Sequence, residues 1–588
     1  MSTHHAPEPL PSSHAASQEA PQEAPRDFSR VPAAPRSDDR ALLDALAADL
    51  EAARYVHDGV LELLGPVAMA ALDRDQPVQP RRAVARVEAT RPLDALSTLV
   101  RAFLLGGSVS RERWEAALPT LGLGGASELG LVEADPERPE LLRAAIDLRP
   151  YASDSHADLW VASDVGSHHR PGVLRHDHVL GIGAASLTLA AATIRRPAAT
   201  ALDLGVGCGI QTFYLLAHCD HVTATDLSAR ALGFTRFNLA LNAAALGLDP
   251  QDLEARVSLR QGSLLEPVEG ERFELIVSNP PFVITPRRLG ESSEERFTYR
   301  DGGLPGDQLV AQLWSGLAQV LEPGGTAQML ANWEIPRALV PDDARFSDPV
   351  TGTQVPGWAG RPAQWTPPEL ECWVIQRDVE DPGGYAETWL RDASEVRSPE
   401  AAELRYEEYL DDFEARGVGA IGLGLVWLRR RAEGAGSGMI AGSGRIAAEG
   451  IGRRFESIQH QVESPLGPTL GQAVWQADAV AAVDVALVHA EAAKDVTVET
   501  HSRPGDEHPQ AILLRQGSGL RRTRLLPTAL AGLVSACDGE LPLGSLSRAV
   551  VSVLEATEAQ NHPSAEELLE QAKELLVDGF LRFPSHSE

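Results

Sequence analysis

Residues 201–216 restrict the fold more than any other stretch. An apolar run carries Asp203, three glycines follow at alternate positions (Gly205, Gly207 and Gly209), and the helical-looking IQTFYLL comes next. This order reads as strand, tight turn, helix. Glycine accepts positive φ and lets backbone approach a ligand closely, and the helix that follows turns unpaired N–H groups toward a polar group. A second strand, 221–225, ends at Asp226 and Leu227, and a carboxylate at that place can take both hydroxyls of a ribose. The stretch is built for a nucleoside. A dinucleotide fingerprint counted from Gly205 needs a glycine where the chain has Ile210, so the turn departs from that pattern.

A strand at 273–278 then runs into Asn279, Pro280, Pro281 and Phe282. The lone pair of a base amine or of a glutamine amide is delocalised and attacks poorly. Two acceptors, the Asn279 side-chain oxygen and the Pro280 carbonyl, can each take an N–H and turn that lone pair toward an electrophile, which is catalysis by position and charge. The prolines stiffen the backbone, and Phe282 can stack on a planar group. On the turn alone, another nucleotide-binding α/β protein fits as well. With NPPF beside it, D-x-G-x-G-x-G resembles the S-adenosylmethionine (SAM) site of class I methyltransferases, and NPPF resembles the [D/N]PP[F/Y/W] signature of those that methylate a planar nitrogen.

The resemblance covers about 151–431 and implies an α/β, doubly wound, Rossmann-like sheet of seven strands whose last strand is antiparallel. It implies SAM as cofactor, held by Asp203, Gly205, Gly207, Gly209, Asp226, Leu227, Ser263 and Asn279, with Asn279, Pro280, Pro281 and Phe282 as the catalytic set. Many relatives carry an Asp at the place of Ser263; serine still accepts one hydrogen bond there. Asn238 and Asn242, four apart on one helical face, either match paired asparagines of related methyltransferases or form an exposed polar stripe.

The 588 residues suggest three or four domains. Residues 1–36, rich in Pro, Ala, Ser and Glu, lack apolar periodicity and read as a disordered tail. Residues 37–150 read as helices followed by a two-stranded wing, a winged-helix-like unit. Its Arg81, Arg82, Arg86 and Arg91 serve either substrate recognition or a solvated face of a structural cap; the many acids nearby favour the cap. Residues 432–445 form a glycine-rich linker, and 446–588 an accessory domain, again with winged-helix-like helical blocks, in which Arg521, Arg522 and Arg524 either touch phosphate or coat a surface.

His168, His169, His176 and His178 lack a matching Cys or His pair at a metal-site spacing, so no metal is assigned; Gly181 and Gly183 are expected to let that loop close over cofactor or substrate. Four scattered cysteines form no disulfide framework, no charged-then-apolar leader opens the chain, and no apolar run is long enough to span a bilayer. A cytoplasmic protein without membrane partners is the expectation.

The substrate expected is a macromolecule, with RNA (ribosomal or transfer) ahead of protein because NPPF with added domains resembles the RNA guanine-N2 and adenine-N6 methyltransferases. Arg287, Arg288, Arg296 and Arg300 would be a local basic patch at its entrance. The alternative is a protein glutamine methyltransferase of the release-factor type, and DNA adenine-N6 methylation comes third. The net charge of −31 works against broad contact with nucleic acid.

Overall fold

The computed structural model describes residues 26–156, 158–166, 169–170, 174–287, 303–392, 399–432, 450–505, 508–556 and 562–584. The chain opens with helices α1 (Arg40–Ala52), α2 (His57–Leu64), α3 (Pro66–Leu72), α4 (Val78–Thr90), α5 (Ala95–Leu99), α6 (Arg111–Ala117) and α7 (Gly122–Glu128). Three short strands, β1 (Val109–Ser110), β2 (Val132–Ala134) and β3 (Leu141–Ala144), form a sheet in the order β1-β3-β2. Phe103 and Trp114 meet edge to face at 5.6 Å in its core. Residues 26–36, expected within a disordered tail, instead lie against the central domain. Phe28 is buried with Val206, Ala224 and Leu232, and the carbonyl of Ala33 accepts from Arg230 at 2.7 Å. One aromatic ring in a polar stretch makes no periodic signal, which is why the sequence pattern missed it.

A hairpin of β4 (Asp147–Tyr151) and β5 (Leu159–Ser163) leads through α8 (Ala184–Ala192) into the main sheet. Its elements in chain order are β6 (Ala198–Leu204), α9 (Ile210–Leu216), β7 (Cys219–Asp226), α10 (Ala229–Leu241), β8 (Val257–Gln261), β9 (Phe273–Ser278), α11 (Gln308–Val320) and β10 (Leu321–Pro336). A small hairpin, β11 (Arg345–Ser347) and β12 (Gln354–Pro356), and helix α12 (Gly360–Trp365) precede β13 (Leu370–Glu380). Helices α13 (Pro382–Asp392) and α14 (Pro399–Ala415) precede β14 (Val418–Arg430), and β15 (Arg453–Ser457) follows.

The spatial order is β15-β13-β14-β10-β9-β6-β7-β8. Strands β6 to β10 run parallel, and β14 is antiparallel to both β10 and β13. The sheet thus has eight strands among the described residues where seven were expected. The additional strand, RRFES, pairs with the outer edge of β13, Cys372 opposite Arg453, and satisfies ladder groups that would otherwise be exposed. It is anchored by Arg453, buried against Asp348 at 2.6 Å, and by Phe455, edge-on to Trp358. With one apolar residue in five, it carries no strand alternation to read.

Beyond it come α15 (Gly467–Ala482), β16 (His489–Ala492), β17 (Val496–His501), β18 (Ala511–Gln516), β19 (Thr523–Leu526), α16 (Thr528–Ser535), β20 (Asp538–Pro542), α17 (Leu543–Ala556), α18 (Ala565–Val577) and β21 (Leu581–Arg582). These make two three-stranded sheets, β20-β16-β21 and β17-β18-β19. No helix among the described residues is long and apolar enough to cross a membrane.

Candidate active site

The parallel register sets Asp203 beside Ala224 on one flank and Val277 on the other, so the ends of β6, β7 and β9 open at one level. Gly205, Gly207 and Gly209 have φ of 79°, 58° and 97°, the left-handed region that favours glycine. The turn is sewn to β7 by the amides of Gly205 and Val206, which both donate to the carbonyl of Thr225, at 2.9 and 3.0 Å. The Gly207 amide donates to Asp226 Oδ2 at 3.1 Å and the Ser228 amide to its Oδ1 at 2.8 Å. Burial pushes the Asp226 carboxyl up, against the pull of those two amides. Each carboxylate oxygen keeps further lone-pair capacity.

A cavity of about 460 Å³ opens above this turn, within the range of cofactor sites. Gly205, Gly207, Asp226, Leu227, Ser263, Asn279 and Pro281 all line it. Leu227 is 55% exposed at the rim, held by its carbonyl to Gln261 Nε2 at 3.0 Å, with Leu264 also on the wall. Two of the expected cofactor residues do not line it. Gly209 is the N-cap of α9. Asp203 is fully buried, with Oδ2 accepting from the Thr212 hydroxyl at 2.6 Å, and burial pushes its carboxyl up to about 7.

The NPPF segment leaves β9 beside the glycine turn. The Ser278 hydroxyl donates to the Leu204 carbonyl at 2.9 Å, and a Cβ on Gly205 would come within 3.7 Å of the Asn279 carbonyl oxygen. Asn279 Nδ2 reaches Ser186 Oγ at 3.4 Å, while its Oδ1 is buried and has no hydrogen-bond partner among the described residues. An unused buried acceptor costs free energy unless something fills it. Pro280 is buried. Phe282, expected to stack on a planar group, lies outside the cavity wall and stands edge-on to Trp389 of α13, centroids 6.3 Å apart.

The far wall is held by side chains distant in sequence. Gly303 and Leu309 line the cavity, and between them Asp307 accepts from Arg361 Nη1 at 2.5 Å and from the Glu334 amide at 2.8 Å. Glu334, 1% exposed at its side chain, accepts from Arg361 Nη2 at 3.0 Å and from Arg416 Nη2 at 2.7 Å. Burial pushes the Asp307 carboxyl up to about 6, with Arg361 opposing. Ser186, Asp307, Glu334 and Arg361 carry no recognisable motif, and sequence reasoning did not find them.

The loop before α8 contributes His178, Gly181 and Gly183 to the cavity. Arg230 of α10 clasps the loop, donating to Asp164 Oδ1 at 2.6 Å and to the Asp177 carbonyl at 2.8 Å. His178 is buried, which lowers its pKa, whereas His176 is exposed and His169 packs against Gly106. His168 lies outside the described residues. Asn238 and Asn242 are buried. Asn238 exchanges hydrogen bonds with the backbone of Ala162, at 2.8 and 2.9 Å, and Asn242 with that of Trp160, at 2.8 and 2.7 Å. They sew β5 onto α10 and are no exposed stripe.

Of the arginines expected near the entrance, Arg288, Arg296 and Arg300 lie outside the described residues, and Arg287 donates to the Leu304 carbonyl at 2.8 Å. Arg522 and Arg524 are committed to ion pairs with Glu456, Asp578 and Glu574. Arg91 pairs with Asp94 at 3.0 Å.

Comparison with known proteins gives two family matches, "Methyltransferase small domain" over residues 165–292 and "Domain of unknown function (DUF7059)" over residues 52–145. The chain is 34% identical over 168 residues to a release factor glutamine methyltransferase of Moorella thermoacetica, covering 28% of this chain and 56% of that one. It is 28% identical over 143 residues to a ribosomal RNA small subunit methyltransferase C of Alcanivorax borkumensis, covering 24% and 35%. The chain therefore spans about half the length, or less, of these curated relatives. Among solved structures, a SAM-dependent methyltransferase from Thiobacillus denitrificans in complex with S-adenosyl-L-homocysteine aligns with 19% identity and a TM-score of 0.23, covering 42% of this chain and 92% of that one. Residues 165–292, which carry the glycine turn, Asp226 and Asn279, thus match the methyltransferase small domain. The donor set fits SAM as cofactor: a carboxylate for a diol at Asp226 and apolar side chains at Leu227 and Leu264 for a purine, around the glycine turn.

Proposed function

We propose that the protein is a SAM-dependent N-methyltransferase acting on a planar nitrogen, with a protein side-chain amide as its substrate. The observation that carries the transfer chemistry is Asn279, a residue of the cavity wall whose buried Oδ1 has no hydrogen-bond partner among the described residues. When bound, the cofactor supplies an electrophilic methyl group. Asn279 Oδ1 and the Pro280 carbonyl take the two N–H groups of the incoming amide, hold its plane and direct its lone pair. Asp226 and the glycine turn bind the nucleoside, and the Arg230 clasp on Asp164 and Asp177 keeps residues 177–183 beside it.

Charge favours the protein substrate over RNA. We read both flanking units as winged-helix-like. The helix that such a unit would lay against nucleic acid is GLGGASE in the first, α7, and in the second, α18, it carries Glu566, Glu567, Glu570 and Glu574 against Lys573. Neither attracts phosphate. Release factor glutamine methyltransferases also recur among the relatives. The second reading, an exocyclic base amine of RNA, draws on Arg81, Arg82 and Arg86, which stand exposed on α4, and on the ribosomal RNA methyltransferase relative.

The test is incubation of purified enzyme and methyl-labelled SAM with lysate from a strain lacking this protein, followed by separation into protein, RNA and DNA. Label in protein that disappears with Asn279→Ala is the expected result. Label in RNA, lost in the same variant, would move the substrate to the second reading. Binding of SAM with no transfer to any fraction would overturn the enzymatic reading.

A further inference from the structure

The two prolines of Asn279-Pro280-Pro281-Phe282 have no N–H to donate, so the loop after β9 must be held by groups further along. Ile284 is buried, and its amide donates to the hydroxyl of Tyr385 at 2.9 Å, across a separation of 101 residues. Asn332 Nδ2, in the middle of the sheet on β10, donates to the same hydroxyl at 2.9 Å. Tyr385 has no exposed surface. Its helix is fixed at the start, where Asp381 accepts from the amides of Gly383 and Gly384 at 2.9 and 3.1 Å.

One turn further along the same face of α13, Trp389 meets Phe282. Tyr385 and Trp389 are four apart on a helix, and their partners Ile284 and Phe282 are two apart in an extended loop, so both pairs are spaced by roughly 6 to 7 Å. Helix α13 therefore grips the loop at two successive points on one side. The grip is on the segment that carries the methyl-transfer acceptors and makes no contact through the glycine turn or Asp226.

We propose that Tyr385 is a positioning residue for methyl transfer: its hydroxyl, shared by the Ile284 amide and the Asn332 side chain, fixes the loop so that Asn279 and Pro280 present their acceptors at the right place. This rests on the methyl-transfer reading above. Displacement of reacting groups by about 1 Å costs on the order of a hundredfold in rate, so a tether on this loop governs turnover and leaves cofactor affinity alone.

Tyr385→Phe keeps the ring and removes the acceptor. The experiment measures initial rates with methyl-labelled SAM over a range of concentrations of the lysate fraction that wild type labels, each rate divided by the number of SAM-binding sites from calorimetry. The expected result is a maximal rate lowered by about tenfold or more, with SAM affinity changed less than about twofold. A merely structural tyrosine would reduce the number of binding sites and leave the rate per site unchanged, and that result would overturn the proposal. Hydrogen exchange keeps the idea testable if the variant does not fold. In the wild type the Ile284 amide is expected to be protected as well as the amides of β9; exchange at the rate of an open loop would overturn it. Absence of labelling by the wild type would count against the methyl-transfer reading and leave exchange to judge the tether.

Discussion

The two halves of the cavity are built differently. The cofactor half comes chiefly from one continuous stretch, Asp203 to Leu264, with the loop at 177–183 beside it, and within that stretch its hydrogen bonds are mostly backbone to backbone or backbone to carboxylate, such as Gly207 to Asp226. The half we assign to substrate has Asn279 on the wall and is held from behind by Asp307, Asn332, Glu334, Arg361, Tyr385 and Arg416, joined by side chains across 27 to 101 residues. Backbone geometry demands particular residue types, above all glycine where φ is positive. A side-chain network demands only complementary charge, which many sequences supply. The first half is therefore legible as a motif, and the second can vary with substrate while the first stays constant.

Breaking the two halves separately should give separable defects. The largest is expected from Asn279→Ala, which removes the free acceptor: turnover should fall by about 10²- to 10³-fold, as for loss of one charge-stabilising group in other active sites, with SAM affinity largely kept. Equal turnover in rate assays per binding site would refute its role. Glu334→Gln leaves Arg361 and Arg416 facing a neutral amide in a buried place. Unfolding free energy should drop by about 3 kcal/mol, the low end for a broken buried pair because both arginines keep some solvent contact. A urea titration showing a loss below about 0.5 kcal/mol would mean that this network behaves as a surface ion pair. Asp226→Ala removes a charged acceptor from the cofactor half and also leaves the Gly207 and Ser228 amides without their partner, so SAM should bind about 10- to 100-fold more weakly, read by calorimetry per folded molecule. If substrate affinity fell instead, the division between the halves would be misplaced.

The parts that were legible in the chain follow the same division. The glycine turn, Asp226 and NPPF each depend on residues that no other type replaces without strain, so their spacing predicts a common site, and Gly205, Gly207, Asp226, Leu227, Ser263, Asn279 and Pro281 do share one cavity. Asp203 belongs to the same motif but is buried and bonds Thr212 of α9, a difference of which side a strand-end residue faces and not of spacing. Strand β15 was invisible because pairing with a sheet edge needs no apolar pattern. Residues 26–36 were invisible because Phe28 is a single apolar anchor. The paired asparagines were visible as a stripe, but only the position of the β4–β5 hairpin decides that the stripe is buried.

Asp203 offers the smallest test, and it asks how a buried acid is managed without an arginine. In the substrate half, Asp307 has Arg361 beside it and is pushed up only to about 6; Asp203, with the Thr212 hydroxyl and no cation in contact among the described residues, is pushed up to about 7. Its folded value lies above its unfolded one, so between about pH 4 and 7 the folded chain holds a proton that the unfolded chain has lost. That contribution to stability is complete at low pH and disappears as pH rises through 7. Between pH 6 and 8 it amounts to a loss of about 1.4 kcal/mol in unfolding free energy. Asp203→Asn has no proton to lose, so subtracting its pH profile from that of the wild type isolates this term from Asp307 and the histidines. A difference that slopes downward for the wild type over this interval is expected. A flat difference would mean that Asp203 is ionised throughout, with a cation or ordered water supplying the partner that its Oδ1 lacks among the described residues, and the cofactor half would then depend on a side-chain network after all.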